Sequence, residues 1–259
     1  MKTRDKLLMG IDLSTSCVGF AIFNYEGELI ELTHAQPKHD FNFNNKMEDL
    51  YYKAQMLKDF IEDKGWPKER IEKIVIEAPM ISSATIMSSA MLNKFHGIFY
   101  CFLKEIFSEK VDILYIGEKD ARRHAIPEIL LDGKLWSAVP KTIRGHKIGK
   151  YRKLIVMLQM AKRYPDVKWM LTNNKTINNK NYDMADAMTT AYGYMVMNEM
   201  IPNEPVELDS TITFIENYFD YLQWMKTLTG NASEKKVLKI HYLEEYLNIN
   251  EHLNLEIFV

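Results

Sequence analysis

The chain has 259 residues, of which 47% are hydrophobic and 12% aromatic, and its formal net charge is −2. A chain of this length and apolar content can bury a large core, so we expect a globular protein rather than a disordered one. No apolar run reaches the roughly 20 residues that span a bilayer, no leader-like segment is recognisable, and two cysteines are too few for a disulfide framework, so a cytoplasmic location is expected.

The first part of the sequence predicts an antiparallel sheet that continues into a helix and a parallel strand. Residues 7–13 and 18–24 are apolar runs joined by a short polar loop, and a glycine-centred turn leads to a third strand that begins at residue 29. Helical spacing over residues 46–63 predicts a crossover helix. The apolar run at 73–79 ends in proline and is predicted to be a buried parallel strand.

The middle of the sequence continues the alternation of helix and strand. Residues 82–107 predict a long helix that is apolar on more than one face, so we expect it to contact both the sheet and another subunit. A fifth strand is predicted at 111–117 and a short helix at 118–124, whereas residues 126–146 are expected to be irregular. Cys17 and Cys101 lack the paired spacing of a zinc site and are predicted to be small core residues.

The last part of the sequence predicts helices at 147–164, 182–200, 208–228 and 233–247. Together with the five strands they define an α/β class with a sheet of mixed direction. Two domains are predicted, an α/β domain over residues 1–200 and a helical, acidic extension over residues 201–259.

Charge is distributed unevenly along the chain. Residues 134–180 contain twelve Lys or Arg and one acid, whereas residues 201–259 contain ten acids and four bases. A basic stretch is typical of a solvated face and also of a surface that binds nucleic acid, and charge alone does not decide between them. Interleaved aromatic residues favour nucleic acid, because stacking on bases complements phosphate contact; they are Trp136, Tyr151, Tyr164 and Trp169.

Four acids fall where the predicted elements end at a common edge: Asp12, Glu77, Asp183 and Asp186. Each alone has a structural explanation, such as a loop cap, a buried ion pair or a place in the first turn of a helix. Asp183 and Asp186 are three residues apart, however, so a helix presents both on one face. Converging carboxylates repel one another unless cations are present, which predicts a site for Mg²⁺ or Mn²⁺.

Three segments carry a resemblance to a known family: "GIDLSTSCVGFAIF", "IVIEAP" and "YDMADAMTTA". They resemble the ribonuclease H-like nuclease superfamily and are most similar to the RuvC-type Holliday junction resolvases, over roughly residues 6–200. In that family an Asp stands in a G-x-D context on the first strand, a Glu ends the fourth strand and a late helix carries D-x-x-D. The resemblance implies a ribonuclease H-like mixed five-stranded sheet, three antiparallel strands and then parallel ones, flanked by helices.

The same resemblance implies a chemistry for the site. Asp12, Glu77, Asp183 and Asp186 would bind two Mg²⁺ ions, replaceable by Mn²⁺, with Asp12 bridging them and one ion activating a water while the other stabilises the leaving 3′ oxygen. "GHKIGKYRKLIVMLQ" is similar to the basic stretch of the family, and Lys150 is a further candidate catalytic residue. The candidate DNA-binding residues are Lys141, Arg144, Lys147, Lys150, Arg152 and Lys153. Arg122 and Arg123 are weaker candidates, because an arginine pair on a helix surface is commonly only solvated.

The function implied is that of a Mg²⁺-dependent endonuclease that cleaves branched DNA, with Holliday junction resolution by paired cuts of a homodimer as the first expectation. A bacterial, phage or viral source is expected. A second interpretation keeps the fold and changes the substrate to flaps, RNA–DNA hybrids or other branched DNA. A third, an actin-like ATPase or kinase, is disfavoured because the sequence lacks a second phosphate loop and a late Gly-Gly motif. A DNA-binding scaffold without catalysis is disfavoured because all four acids are present.

Overall fold

A computed structural model describes residues 6–79, 86–107, 109–126, 142–143, 146–147, 149–204, 206, 209–246 and 248–256. Within these residues, no helix is both long enough and apolar enough to cross a bilayer. The elements up to residue 125 are β1 (Leu7–Asp12), β2 (Val18–Asn24), β3 (Leu29–Ala35), α1 (Lys46–Asp63), β4 (Ile71–Glu77), α2 (Ile86–Phe107), β5 (Asp112–Ile116) and α3 (Glu118–Ala125).

The five strands form one sheet in the order β3-β2-β1-β4-β5. The pairs β1–β2 and β2–β3 are antiparallel, whereas β4 runs parallel to both β1 and β5. The predicted mixed five-stranded sheet, with three antiparallel strands followed by parallel ones, is therefore confirmed. The parallel strands follow crossover helices, as parallel neighbours require.

The main core of this part of the chain lies between the sheet and the helix pair α1 and α2. It contains alternate residues of the central strands, such as Met9 and Ile11 of β1, together with Leu57 of α1 and Phe99 of α2. The side chains of a strand alternate between the two faces of a sheet. The residues between these core positions therefore point to the opposite face, where the candidate site is found.

The elements that follow are β6 (Thr142–Ile143), β7 (His146–Lys147), α4 (Gly149–Arg163), β8 (Lys168–Met170), α5 (Lys180–Met197), α6 (Asp209–Thr227), α7 (Ala232–His241), a π-helical turn (Tyr242–Tyr246), α8 (Ile249–His252) and β9 (Asn254–Glu256). The helix predicted over 233–247 is thus interrupted, because α-helical geometry ends at His241. Two short sheets were not predicted, an antiparallel pair β6–β7 and a parallel pair β8–β9. Most of the segment expected to be irregular, 126–146, lies outside the described residues.

The chain divides into two compact units by packing. The first unit comprises Met1–Ala125 and Asp186–Asn203, and the second comprises Ile126–Ala185 and Glu204–Val259. The second unit thus combines an internal segment with the C-terminal one. The predicted domain boundary at residue 200 stays a prediction. It divides the chain by sequence order, whereas the two units are defined by packing and each consists of two separate segments.

Two expectations about single residues were wrong. Cys101 is exposed on α2, whereas Cys17 is buried as predicted. Trp169 is fully buried in the second unit, so it contributes to a core and not to a surface for stacking on bases. The aromatic residues of α6 have the same role, since Phe214 and Tyr221 are buried.

Candidate functional site

Two of the predicted site residues stand at the carboxyl ends of the neighbouring strands β1 and β4. Asp12 is the last residue of β1, and Glu77 is the last residue of β4. The strands are parallel with Ile11 beside Ile76, so the next residues in register are Asp12 and Glu77. In-register neighbours of parallel strands project from the same face of a sheet. The sequence prediction that these two acids belong together is consistent with this register.

Gly10 identifies the face from which these carboxylates project. A side chain at Gly10 would collide with the backbone carbonyl of Ala187 and would lie 2.7 Å from Cβ of Ala191, so this face of β1 packs directly on α5. Asp12 is two residues further along the strand and therefore points to the same side. We call the end of the sheet that carries Asp12 and Glu77 the carboxylate edge. Its side chains project from the face that α5 covers, which is the face opposite the core beneath α1 and α2.

Helix α5 brings the third acid to this edge. Asp186 precedes Ala187 and its side chain is only 4% exposed. A second close approach fixes the other part of the helix, because a side chain at Gly193 would lie 2.9 Å from Cα of Ala121 on α3 and would collide with the Ala121 carbonyl. Backbone contacts at these two glycines hold α5 against both β1 and α3.

Arg122 of α3 is the cation of this edge. Its Nη2 donates a hydrogen bond of 2.9 Å to Oδ1 of Asp186, and its Nη1 pairs with Glu118 one turn earlier. Burial alone would lower the pKa of the Arg122 guanidinium, but the charges of Asp186, Glu118 and Glu77 outweigh burial and raise this pKa above its usual value. Arg122 therefore remains charged and offsets part of the negative charge of these carboxylates.

The interpretation of the arginine pair as solvated was wrong for Arg122 and agrees with the exposure of Arg123. Sequence reasoning also missed Glu118. One signal was available for it, because Glu118 lies two residues beyond β5, at the same edge where β1 and β4 end. The carboxyl ends of adjacent parallel strands meet at one edge of a sheet, and this is where binding residues are commonly found.

Asp183 lies one helical turn before Asp186 on α5, in the second unit. Its Oδ1 is 3.8 Å from Nζ of Lys153 on α4. Asp183 and Asp186 thus share one face of the helix, as predicted from their spacing. Each of the two acids has a basic side chain nearby.

The donor set has the chemistry that a divalent metal requires, since carboxylate oxygens are the preferred ligands of Mg²⁺ and Mn²⁺. The arrangement does not complete such a site: among the residues that the structure describes, no group of three or more His, Cys, Asp or Glu is placed to hold one ion. At this edge Asp186 is paired with a guanidinium instead. The assignment of Asp12, Glu77, Asp183 and Asp186 as metal ligands stays a prediction.

The predicted DNA-binding residues are only partly covered by the structure. Lys141 and Arg144 lie outside the described residues, and the backbone alone is described for Lys147 on β7 and Lys150 on α4. Arg152 is exposed on α4, and the side chain of Lys153 is 44% exposed beside Asp183. Their roles stay predictions.

The fold is of the α/β class, with a mixed five-stranded sheet whose edge carries the candidate acids. No protein-family model matches the chain, and no curated protein matches it.

Holliday junction resolvases are among its structural neighbours. They include Thermus thermophilus RuvC in complex with Holliday junction substrate, at 10% identity, a TM-score of 0.47, and coverage of 75% of this chain and 96% of that one. The yeast mitochondrial Holliday junction resolvase Ydc2 is 14% identical over 74% of this chain and 79% of that one, with a TM-score of 0.42. The fowlpox virus Holliday junction resolvase is 14% identical over 73% and 97%, with a TM-score of 0.35.

Proposed function

We propose that this protein is a Mg²⁺-dependent endonuclease that resolves Holliday junctions by paired cuts. The observation that carries the proposal is that Asp12 and Glu77 end the adjacent parallel strands β1 and β4, on the face of the sheet covered by α5 and its buried Asp186. Three acids on one partly buried edge, offset by the guanidinium of Arg122, leave an excess of negative charge that favours binding of a divalent cation. The motifs that resemble junction resolvases supply the substrate class.

The chain's own residues have distinct parts in the proposed hydrolysis. Asp12, Glu77, Asp183 and Asp186 would hold Mg²⁺, which when bound supplies Lewis acidity and lowers the pKa of a coordinated water. Arg122 holds Asp186 in one orientation and offsets part of the negative charge of the edge. The exposed Arg152, with Lys153, would contact DNA phosphates.

The first test is cleavage of a synthetic four-way junction by the Asp12→Asn variant. We expect loss of Mg²⁺-dependent cleavage while the folded state is retained, because Asn has the shape of Asp without its charge. Asp63→Asn, which changes an exposed acid at the end of α1, is the matched control and should cleave normally. Full activity of Asp12→Asn would refute the proposal.

Substrate preference is tested with one preparation against a junction, a fork, an RNA–DNA hybrid and a linear duplex. Resolution of junctions predicts the junction as the fastest substrate and two symmetric cuts on it. Faster cleavage of the fork or the hybrid would support a nuclease of the same fold that acts on flaps, RNA–DNA hybrids or other branched DNA, which is the second interpretation.

A further inference from the structure

The second unit contains a cavity of about 700 Å³ that the candidate site does not use. Its walls come from α4, the turn at 172–179, the start of α5, and helices α6 and α7. Pockets of roughly 300–1,000 Å³ are the size in which proteins bind small molecules or parts of larger ones. The volume is therefore sufficient for a nucleotide.

The floor of the cavity is apolar and partly aromatic. Ile177, Tyr218 and Phe219 are buried and line it together with Leu222 and with Tyr182 of α5. Aromatic rings next to aliphatic side chains suit a flat ring, because stacking buries both faces of a planar ligand. The floor therefore favours a planar group.

The rim carries amide side chains that are available for hydrogen bonds. Asn174, Asn178 and Asn179 line it, and within the described part of the chain the side chains of Asn174 and Asn179 make no hydrogen bond. The hydroxyl of Tyr182 makes none either, and burial raises the pKa of Tyr182 to about 12, so it remains a donor. Amides that offer both donors and acceptors match the edges of nucleobases.

The charged residues of the lining favour an anion. Among the described residues that line the cavity, the charged ones are Lys226 of α6 and Lys239 of α7, and none is acidic. Lys226 donates to the neutral Gln223 at 3.2 Å, so its positive charge is not cancelled by that contact. Two lysines beside an apolar floor match a phosphate attached to a planar base.

Hydrogen bonds within the protein hold the wall of the cavity in place. The backbone N–H of Ile177 donates to the Tyr218 hydroxyl at 2.8 Å, and the Tyr221 hydroxyl donates to the carbonyl of Lys175 at 2.7 Å. The turn is also closed by a hydrogen bond of 2.7 Å from the N–H of Thr172 to the carbonyl of Thr176. Prior ordering of a wall reduces the entropy lost on binding.

We propose that this cavity binds one nucleotide, with the base on the aromatic floor against the asparagine rim and the phosphate beside Lys226 and Lys239. The same chemistry is offered by a free mononucleotide and by an unpaired nucleotide of a branched DNA. Binding of an unpaired nucleotide of branched DNA rests on the proposed nuclease function, whereas binding of a free mononucleotide does not.

The test measures binding of dAMP, deoxyadenosine and inorganic phosphate by calorimetry. We expect dAMP to bind more tightly than either of its parts. A second arm uses a fork with one unpaired 2-aminopurine, whose fluorescence falls when the base stacks on an aromatic ring. A fall in fluorescence identifies an unpaired nucleotide of DNA as the ligand. Binding of dAMP without this fall identifies the free nucleotide as the ligand. Either result supports the cavity as a nucleotide site.

Leu222→Trp fills the cavity and should weaken dAMP binding about tenfold or more, in line with the energy of stacking one base. Leu238→Trp, at a residue on α7 that is 44% exposed and does not line the cavity, is its control. The double variant Lys226→Gln/Lys239→Gln should weaken dAMP while leaving deoxyadenosine unchanged. Lys235→Gln/Lys236→Gln, on α7, changes the same number of charges outside the lining.

Absence of dAMP binding together with an unchanged fluorescence would overturn the inference, as would equal dAMP binding by a folded Leu222→Trp variant and its control. Junction cleavage is measured in parallel. A chain that binds dAMP in this cavity but cleaves no DNA loses the proposed function and keeps the nucleotide site. A chain that cleaves junctions but shows neither dAMP binding nor a fall in fluorescence keeps the proposed function and loses the nucleotide site.

Discussion

At the scale of single residues, Arg122 decides the charge balance of the carboxylate edge. It is 16% exposed and pairs with Asp186, which is 4% exposed. Replacing one member of such a pair leaves the other charge buried without this partner, which typically lowers stability by ~3 kcal/mol or more. We expect Arg122→Gln to lower the free energy of unfolding in urea by about this amount. We also expect Mg²⁺ to stabilise the variant more than the parent, because a cation restores the missing charge.

Arg123→Gln is the matched control for this prediction, since Arg123 is exposed on the same helix. Its unfolding free energy should stay within about 0.5 kcal/mol of the parent. An equal effect of the two substitutions would show that the ion pair with Asp186 contributes nothing to stability.

His96 of α2 gives a prediction about pH. Burial lowers its pKa from 6.5 to about 4, and the nearby backbone of Leu13 opposes this only in part. The unfolded chain thus binds a proton between pH 6.5 and 4 that the folded chain does not bind, so stability falls as the pH is lowered through this window, by up to about 3 kcal/mol. His96→Leu should give a flatter profile of unfolding free energy between pH 7 and 4. His241→Gln, at an exposed histidine, should keep the slope of the parent; a parent-like slope in His96→Leu would contradict the assignment.

At the scale of elements, two glycines determine where α5 lies. Neither Gly10 nor Gly193 has room for a side chain, because the backbone of the opposing helix occupies that space. We expect Gly10→Ala or Gly193→Ala to destabilise the fold by about 1–3 kcal/mol. Cleavage should fall further than the folded fraction does, since Asp186 moves with the helix.

Gly97 on α2 is the control, because a side chain added there would have no atom within 4 Å. Gly97→Ala should be neutral or stabilising by up to ~1 kcal/mol. Thermal unfolding and junction cleavage of the three variants check this.

The basic face of α4 gives a prediction about salt. If Arg152 and Lys153 each contact one phosphate, replacing both by Gln should make the slope of log affinity against log salt shallower by about 0.9 per lost contact. Binding of a junction measured at several salt concentrations in Ca²⁺, without cleavage, gives the slope. Lys168→Gln, an exposed base on β8, should leave it unchanged. An unchanged slope in the double variant would remove α4 from the DNA surface.

Local patterns were sufficient to predict much of the first unit. The helix expected at 46–63 has these bounds in the structure, because its apolar spacing is regular and Asn45 caps its first turn. The strands β8 and β9 could not be predicted, since each has three residues and they pair across more than 80 residues of sequence. The sequence placed Asp12 and Glu77 at strand ends because each ends a recognisable apolar run, and the structure has both at these positions. Arg122 could not be predicted, because its pairing with Asp186 depends on the tertiary approach of α3 to α5, which no local pattern encodes.

At the scale of the whole molecule, paired cutting requires two active sites on one junction, so we expect a homodimer with two-fold symmetry. Tyr100 is partly exposed on α2, the helix predicted to contact another subunit. Tyr100→Glu should shift the protein toward monomer in sedimentation velocity. On a plasmid with a cruciform, the parent should give linear product from paired cuts, whereas the variant should accumulate nicked circles. Lys94→Glu, also on α2, is the charge control. Linear product from a monomeric variant would contradict the need for two sites.

The discontinuity of the first unit has a consequence for how the protein is made. During translation the last of the five strands leaves the ribosome about 70 residues before the part of α5 that packs on Gly10. At about 5–20 residues per second, the α5-facing side of β1 and β4 stays uncovered for several seconds. The nascent sheet then presents an apolar surface, with its row of acids at one edge, to whatever lies outside the exit tunnel. We expect the period of greatest exposure to aggregation to end when residues 186–203 emerge and close the unit.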